Sequence, residues 1–82
     1  MHLTIITPDK QVFDGEIQRV TLPGSAGSFQ VLRDHAPIVS ILEKGRVLYK
    51  DEVREHVLAI EEGLVEVCDN RIVILVEAGS LG

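Results

Sequence analysis

At 82 residues and a formal net charge of −5, the chain has room for one domain, and its acidity argues against nucleic acid or an anionic bilayer as partner. A lone cysteine, Cys68, excludes an internal disulfide and fits a reducing compartment. Hydrophobic residues make up 45% and mean hydropathy is +0.20, yet no apolar run approaches the ~20 residues of a membrane span, and Met1-His2-Leu3-Thr4 has no signal-peptide layout, so direct membrane insertion is not expected and the cytoplasm is the simplest location.

In chain order, Leu3 to Thr7 reads as a first strand and Thr7-Pro8-Asp9-Lys10 as a turn, with Pro8 presetting φ and Asp9 able to bond its own backbone. Gln11 to Phe13 is a short strand, Asp14-Gly15 carries a hairpin signal, and Glu16 to Leu22 is a third strand. That third strand alternates imperfectly. Val20 and Leu22 share a face that Ile17 does not, which predicts a bulge. Pro23 to Gly27 is a turn, Phe29 to Leu32 a short strand, Arg33-Asp34-His35-Ala36-Pro37 a polar corner, and Ile38 to Leu42 another strand.

Glu43-Lys44-Gly45 then turns into Arg46 to Lys50, Asp51-Glu52 forms a charged tip, and His56 to Ile60 runs back. Glu52 to Ile60 has some helical character, but its bracketing turns favour a hairpin. Glu61-Glu62-Gly63 leads into Leu64 to Cys68, Asp69-Asn70 makes a two-residue connection, and Arg71 to Val76 is apolar on both faces, as expected of a central or covered strand. Residues 77–82 read as a loose tail of one domain spanning 1–82. Eight to ten short strands without a helical period predict an all-β antiparallel sandwich or barrel. A domain this small buries only roughly 60–65% of its unfolded surface, so this apolar content implies exposed apolar surface and a partner.

Chemistry is harder to find. His2, His35 and His56 are scattered, without metal-ligand spacing. Asp34 and His35 with Ser28 or Ser40 could be drawn as a hydrolase triad, but no nucleophile elbow is present, and adjacent side chains on extended backbone point apart; the polar-corner reading is preferred. Gly24 to Ser28 lacks the Lys and following helix of a phosphate loop, so it reads as a strand tip or a close-contact loop. Asp51-Glu52 and Glu61-Glu62 fall at solvated turns, and Cys68 reads as a small buried or half-buried hydrophobe. No cofactor and no catalytic residue is implied.

One ordered set of motifs is more specific. Leu22-Pro23-Gly24-x-x-Gly27-x-Phe29-x-Val31-Leu32-x-x-His35-Ala36-Pro37-Ile38 resembles the epsilon subunit of the F-type ATP synthase. Thr7-Pro8-Asp9-x-x-Val12-Phe13-x-Gly15 resembles that family's first strands. Gly45-x-Val47 resembles its middle, and Gly63-Leu64-Val65-Glu66-Val67 with Asn70-x-Ile72-x-Ile74-Leu75 the end of its amino-terminal domain. The resemblance implies a flattened two-sheet β-sandwich, a non-catalytic place in the central stalk of the rotor, and two partners, the gamma subunit and the membrane c-ring. It implies peripheral attachment at the cytoplasmic face of the inner (plasma) membrane and a mechanical part in proton-driven ATP synthesis.

Carried over by position, Gly24, Ser25, Ala26, Gly27 and Ser28 match the c-ring-facing loop. His35 and Ser40 match gamma-facing positions. Two departures stand out. Many members have two glycines where this chain has Glu62-Gly63, and most continue into a two-helix carboxy-terminal domain that can inhibit hydrolysis or bind ATP. This sequence stops at Gly82, so an inhibitory or nucleotide-sensing role is not expected of it.

Overall fold

The computed structural model describes residues 1–77, and all regular structure there is β. The strands are β1 (His2–Ile6), β2 (Gln11–Glu16), β3 (Arg19–Gly24), β4 (Gly27–Val31), β5 (Ile38–Leu42), β6 (Gly45–Lys50), β7 (Glu55–Ile60), β8 (Glu62–Cys68) and β9 (Arg71–Glu77). Glu77, the first residue of the tail expected at 77–82, closes β9; Ala78 to Gly82 lie outside the described residues. Within Glu52 to Ile60, the segment with some helical character, residues 55–60 are strand β7.

The strands form two layers, β2-β1-β9-β8-β5 and β7-β6-β3-β4. Strand pairing joins them at one place among the described residues, where Gly24 at the end of β3 pairs with Leu42 at the end of β5. Alternation explains the core. Leu3 and Ile5, Val65 and Val67, and Ile72, Ile74 and Val76 point inward from the first layer. Val20, Leu22, Val31, Val47, Tyr49, Leu58 and Ile60 meet them from the second. Each fully buried Leu or Ile contributes roughly 2 kcal/mol through the apolar area it removes from water.

Three expectations need correction. The sandwich is not wholly antiparallel: β1 runs parallel to β9, with Leu3 opposite Ile72 and Ile5 opposite Ile74. This places β9 in the interior of its sheet, as its doubly apolar sequence requires. Next, Asp14-Gly15 is not a tip, because β2 continues through it with Gly15 opposite Leu3. The chain instead turns at Ile17-Gln18, where it passes between layers; the Ile17 amide donates to Met1 O (2.9 Å) and the Gln18 amide to Lys50 O (2.7 Å). Ile17 is buried at this crossover, which is why it kept no register with Val20 and Leu22. The one register shift recorded nearby lies between Ile5 and Ile6. Finally, Cys68 is exposed rather than buried, because it faces outward on β8.

Candidate interaction surface

The tip between β3 and β4 is tighter than the turn read from the sequence. Gly24 pairs with Gly27, leaving only Ser25-Ala26 to close the hairpin. A β-carbon on Gly24 would lie 2.8 Å from the Phe29 ring and 2.8 Å from Gly27 O, so only glycine fits there. Gly27 has φ +127°, which side-chain-bearing residues rarely adopt. The tip is tied to the neighbouring strand: the Ser25 amide donates to Ile41 O (3.1 Å) and the Glu43 amide to Pro23 O (2.8 Å). Ser25, Ala26, Gly27 and Ser28 are all exposed.

The corner at Asp34-His35 lies at the opposite end of the sandwich, against the β8–β9 turn. Asp69 and Asn70 both have positive φ, the geometry of a two-residue turn matched to strand twist. Asn70 and Asp34 then clasp each other. The Asp34 amide donates to Asn70 Oδ1 (2.6 Å), and Asn70 Nδ2 donates to Asp34 Oδ1 (3.0 Å). His35 is half-buried, and its Nδ1 donates to Ala36 O (2.7 Å). The Asp34 carboxylate thus serves Asn70, and no bond between it and the His35 ring forms the dyad of a hydrolase. Among the described residues no group of His, Cys, Asp or Glu is placed to hold a metal.

Ser40 sits in the middle of β5, half-buried and opposite Val65; its exposed neighbours are Val39 and Ile41, at 66% and 64%. Those two begin an outward apolar surface that no motif marked. Ile41 is opposite Leu64, Leu64 opposite Leu75, and Leu75 opposite Ile6, a row crossing four strands. A shallow concavity of about 570 Å³ lies along its end, lined by Ile6, Pro8, Leu64 and Leu75 and edged by Glu62 and Glu77. The sequence signal was present: Ile38 to Leu42 and Arg71 to Val76 are apolar at both parities.

The other end of the same outer face is polar. His2 donates from Nε2 to Asp14 Oδ1 (2.6 Å) and from Nδ1 to Glu16 Oε2 (2.9 Å), and the Thr4 hydroxyl donates to the same Asp14 oxygen (2.9 Å). A ring donating from both nitrogens is an imidazolium. The hydrogen bond with Asp14, then that with Glu16, raises the His2 pKa, and the His2 bond lowers both carboxylates. Across the sandwich, Asp51 accepts from the Arg54 and Val53 amides (2.8 Å each) and from His56 Nε2 (2.8 Å). The Arg54 amide first, then His56, hold that carboxyl well below the usual carboxylate range. The charge of Asp69 chiefly pushes the exposed Cys68 thiol up, away from the thiolate a nucleophile needs.

The molecule is thus an acidic all-β sandwich with an outward apolar row, a tight small-residue tip and a clasped polar corner. Residues 1–81 match the family model described as the ATP synthase, Delta/Epsilon chain, beta-sandwich domain, and the chain belongs to that family. It is 38% identical over 78 residues to the ATP synthase epsilon chain of Campylobacter concisus, covering 94% of this chain and 60% of that one. To the epsilon chain of Anaeromyxobacter sp. (strain K) it is 39% identical over 77 residues, covering 94% and 58%. The chain thus spans about three-fifths of these curated relatives' length.

Two solved structures share the fold. One is a chain of the Tetrahymena thermophila mitochondrial ATP synthase central stalk/c-ring, with a TM-score of 0.79, 24% identity, and 93% of this chain and 62% of that one covered. The other is a chain of the Euglena gracilis mitochondrial ATP synthase, with a TM-score of 0.84, 23% identity, and 90% and 48% covered.

Proposed function

We propose that this chain is a non-catalytic subunit of the ATP synthase central stalk, turning with the rotor and coupling the gamma subunit to the membrane c-ring. Membership of the epsilon-chain sandwich family over residues 1–81 is the observation that carries the reading. The fold's likeness to chains from stalk and c-ring assemblies supports it. The geometry suits such a role, because tip and corner lie at opposite ends of one rigid sandwich, leaving room for a partner at each.

On this reading the tip Gly24, Ser25, Ala26, Gly27 and Ser28 meets the c-ring. A short exposed hairpin without bulky side chains lets another backbone approach closely. His35, in the clasped corner, and Ser40, beside Val39 and Ile41, lie toward gamma. The apolar row supplies the desolvated area that a stable interface requires, on the order of 1,600 Å² in total for a standard one. Residues 1–82 act as a single domain, peripheral at the cytoplasmic face of the plasma membrane and serving proton-driven synthesis without a cofactor of its own.

The test is co-purification of gamma and the c-ring with the intact chain and with Ser25→Glu/Ala26→Glu. The intact chain is expected to retain both, and the double variant to keep gamma and lose the c-ring. An intact chain that retains neither partner would falsify the coupling role.

A further inference from the structure

Strand β5 differs from the charged strands at the far side of the sandwich, and its uncharged neighbour β4 exposes Gly27, Ser28 and Gln30 where β5 exposes Val39 and Ile41. β2 carries Asp14 and Glu16, held by His2, and β7 carries Glu55, paired with Arg19 at 2.8 Å, and His56, paired with Asp51. Charges of this kind keep an exposed strand edge from accepting another chain. β5 is Ile38-Val39-Ser40-Ile41-Leu42, with no charge and no register shift against β8.

Its far edge is nearly bare. β3 reaches it only at Leu42, through Ile41 O and the Glu43 amide. In an antiparallel ladder the backbone groups of alternate residues turn to opposite sides. Because Ile41 O turns toward β3, the Ile41 N–H and both polar groups of Val39 also face away from β8. No described strand pairs with them.

We infer that β5 accepts an extended segment of the stalk partner as an added strand along Val39 to Ile41; the inference rests on the gamma-binding role proposed above. The tip of β3 stops the segment at one end and Pro37, which has no N–H to offer, at the other. One set of the segment's side chains extends the row of Val39 and Ile41, and the other meets Ile38 and Ser40. Charge selects the occupant. Each chain carries −5, and Glu66 lies directly opposite Val39, so a second copy is repelled and a neutral or basic segment is favoured. Backbone hydrogen bonds give such a contact its affinity and alternate side chains its specificity.

The experiment separates backbone from side chain. Proline at position 39 removes an N–H that β8 does not use, whereas threonine keeps it. Binding to purified gamma subunit is measured for the intact chain, Val39→Pro and Val39→Thr, with circular dichroism confirming the fold of each. Val39→Pro is expected to weaken binding roughly tenfold, the cost of one lost backbone bond with its partner left unpaired, and Val39→Thr by about threefold or less. Amide exchange of the intact complex gives an independent reading should the proline variant not fold. The Val39 and Ile41 amides are expected to slow on binding, with Val53, at the far turn, unchanged. Equal affinity of both variants, or binding that leaves Val39 and Ile41 unprotected, overturns the added strand while gamma binding stands. Absence of binding by the intact chain overturns the gamma role and this inference together.

Discussion

The two sides of the sandwich solve the same problem differently. Where β2 faces β7, Phe13, Tyr49 and His56 close the gap between layers: the Phe13 and Tyr49 rings lie 4.7 Å apart, and Tyr49 stacks on His56 at 4.8 Å. Carboxylates then satisfy both histidines at that side, Asp51 for His56 and the Asp14/Glu16 pair for His2. Where β5 faces β4, neither strand carries a charge, the pairing across the layers among the described residues is confined to the end of β3 around Gly24 and Leu42, and Val39 and Ile41 stand in water. One side is finished by the chain itself. The other is left open, and on the proposed role a partner covers it.

The closed side breaks most easily. Tyr49→Ala removes a buried ring from between Phe13 and His56 and is expected to cost roughly 3 kcal/mol in urea denaturation, through lost contacts and the cavity left behind. Next comes the joint between the sides. Gly24→Ala forces a methyl against the Phe29 ring and Gly27 O, and a loss of about 2 kcal/mol is expected. A loss under 0.5 kcal/mol would mean that the tip relaxes freely.

A smaller effect distinguishes the polar clamp. The folded-state pKa of His2 is raised, so its contribution to stability is complete below the ordinary value of 6.5 and fades as pH rises through the folded value. Asp14 and Glu16 are lowered, so theirs is present above the ordinary carboxylate range and is lost as pH falls through their folded values. Proton NMR titration is expected to find His2 titrating above the ordinary value of 6.5, and Asp14→Asn to move it down. An unshifted His2 in the intact chain would refute the clamp.

The open side is expected to respond least in stability. Ile41→Thr changes an exposed side chain and should alter folding by about 0.5 kcal/mol or less, since little packing is lost. The same variant should weaken gamma binding measurably. Loss of stability without loss of binding would reverse the contrast between the two sides.

Much of this was legible from residues alone. Period-two alternation and turn residues located nearly every strand, because both are local. Leu64 to Cys68, Asp69-Asn70 and Arg71 to Val76 were readable as a hairpin for that reason. The ordered motifs around Leu22 to Ile38 reached the family. Asp14-Gly15 was misread because a good turn dipeptide was outweighed by pairing with Leu3 and Thr4, a gain that depends on a strand elsewhere. The parallel placing of β1 beside β9 was likewise invisible, since nothing in Leu3 to Thr7 names a partner some 70 residues on.

By itself, the sequence determined an acidic all-β chain, most of its strand boundaries, its family and its surplus of apolar residues. Only the tertiary structure decided where that surplus lies: which parity of Ile38 to Leu42 faces water, which edge stays bare, and that Asp34 answers Asn70 rather than His35. The reason is physical. Strand and turn preferences act within a few bonds, whereas burial, edge pairing and hydrogen-bond choice depend on which distant strands the folded chain brings alongside.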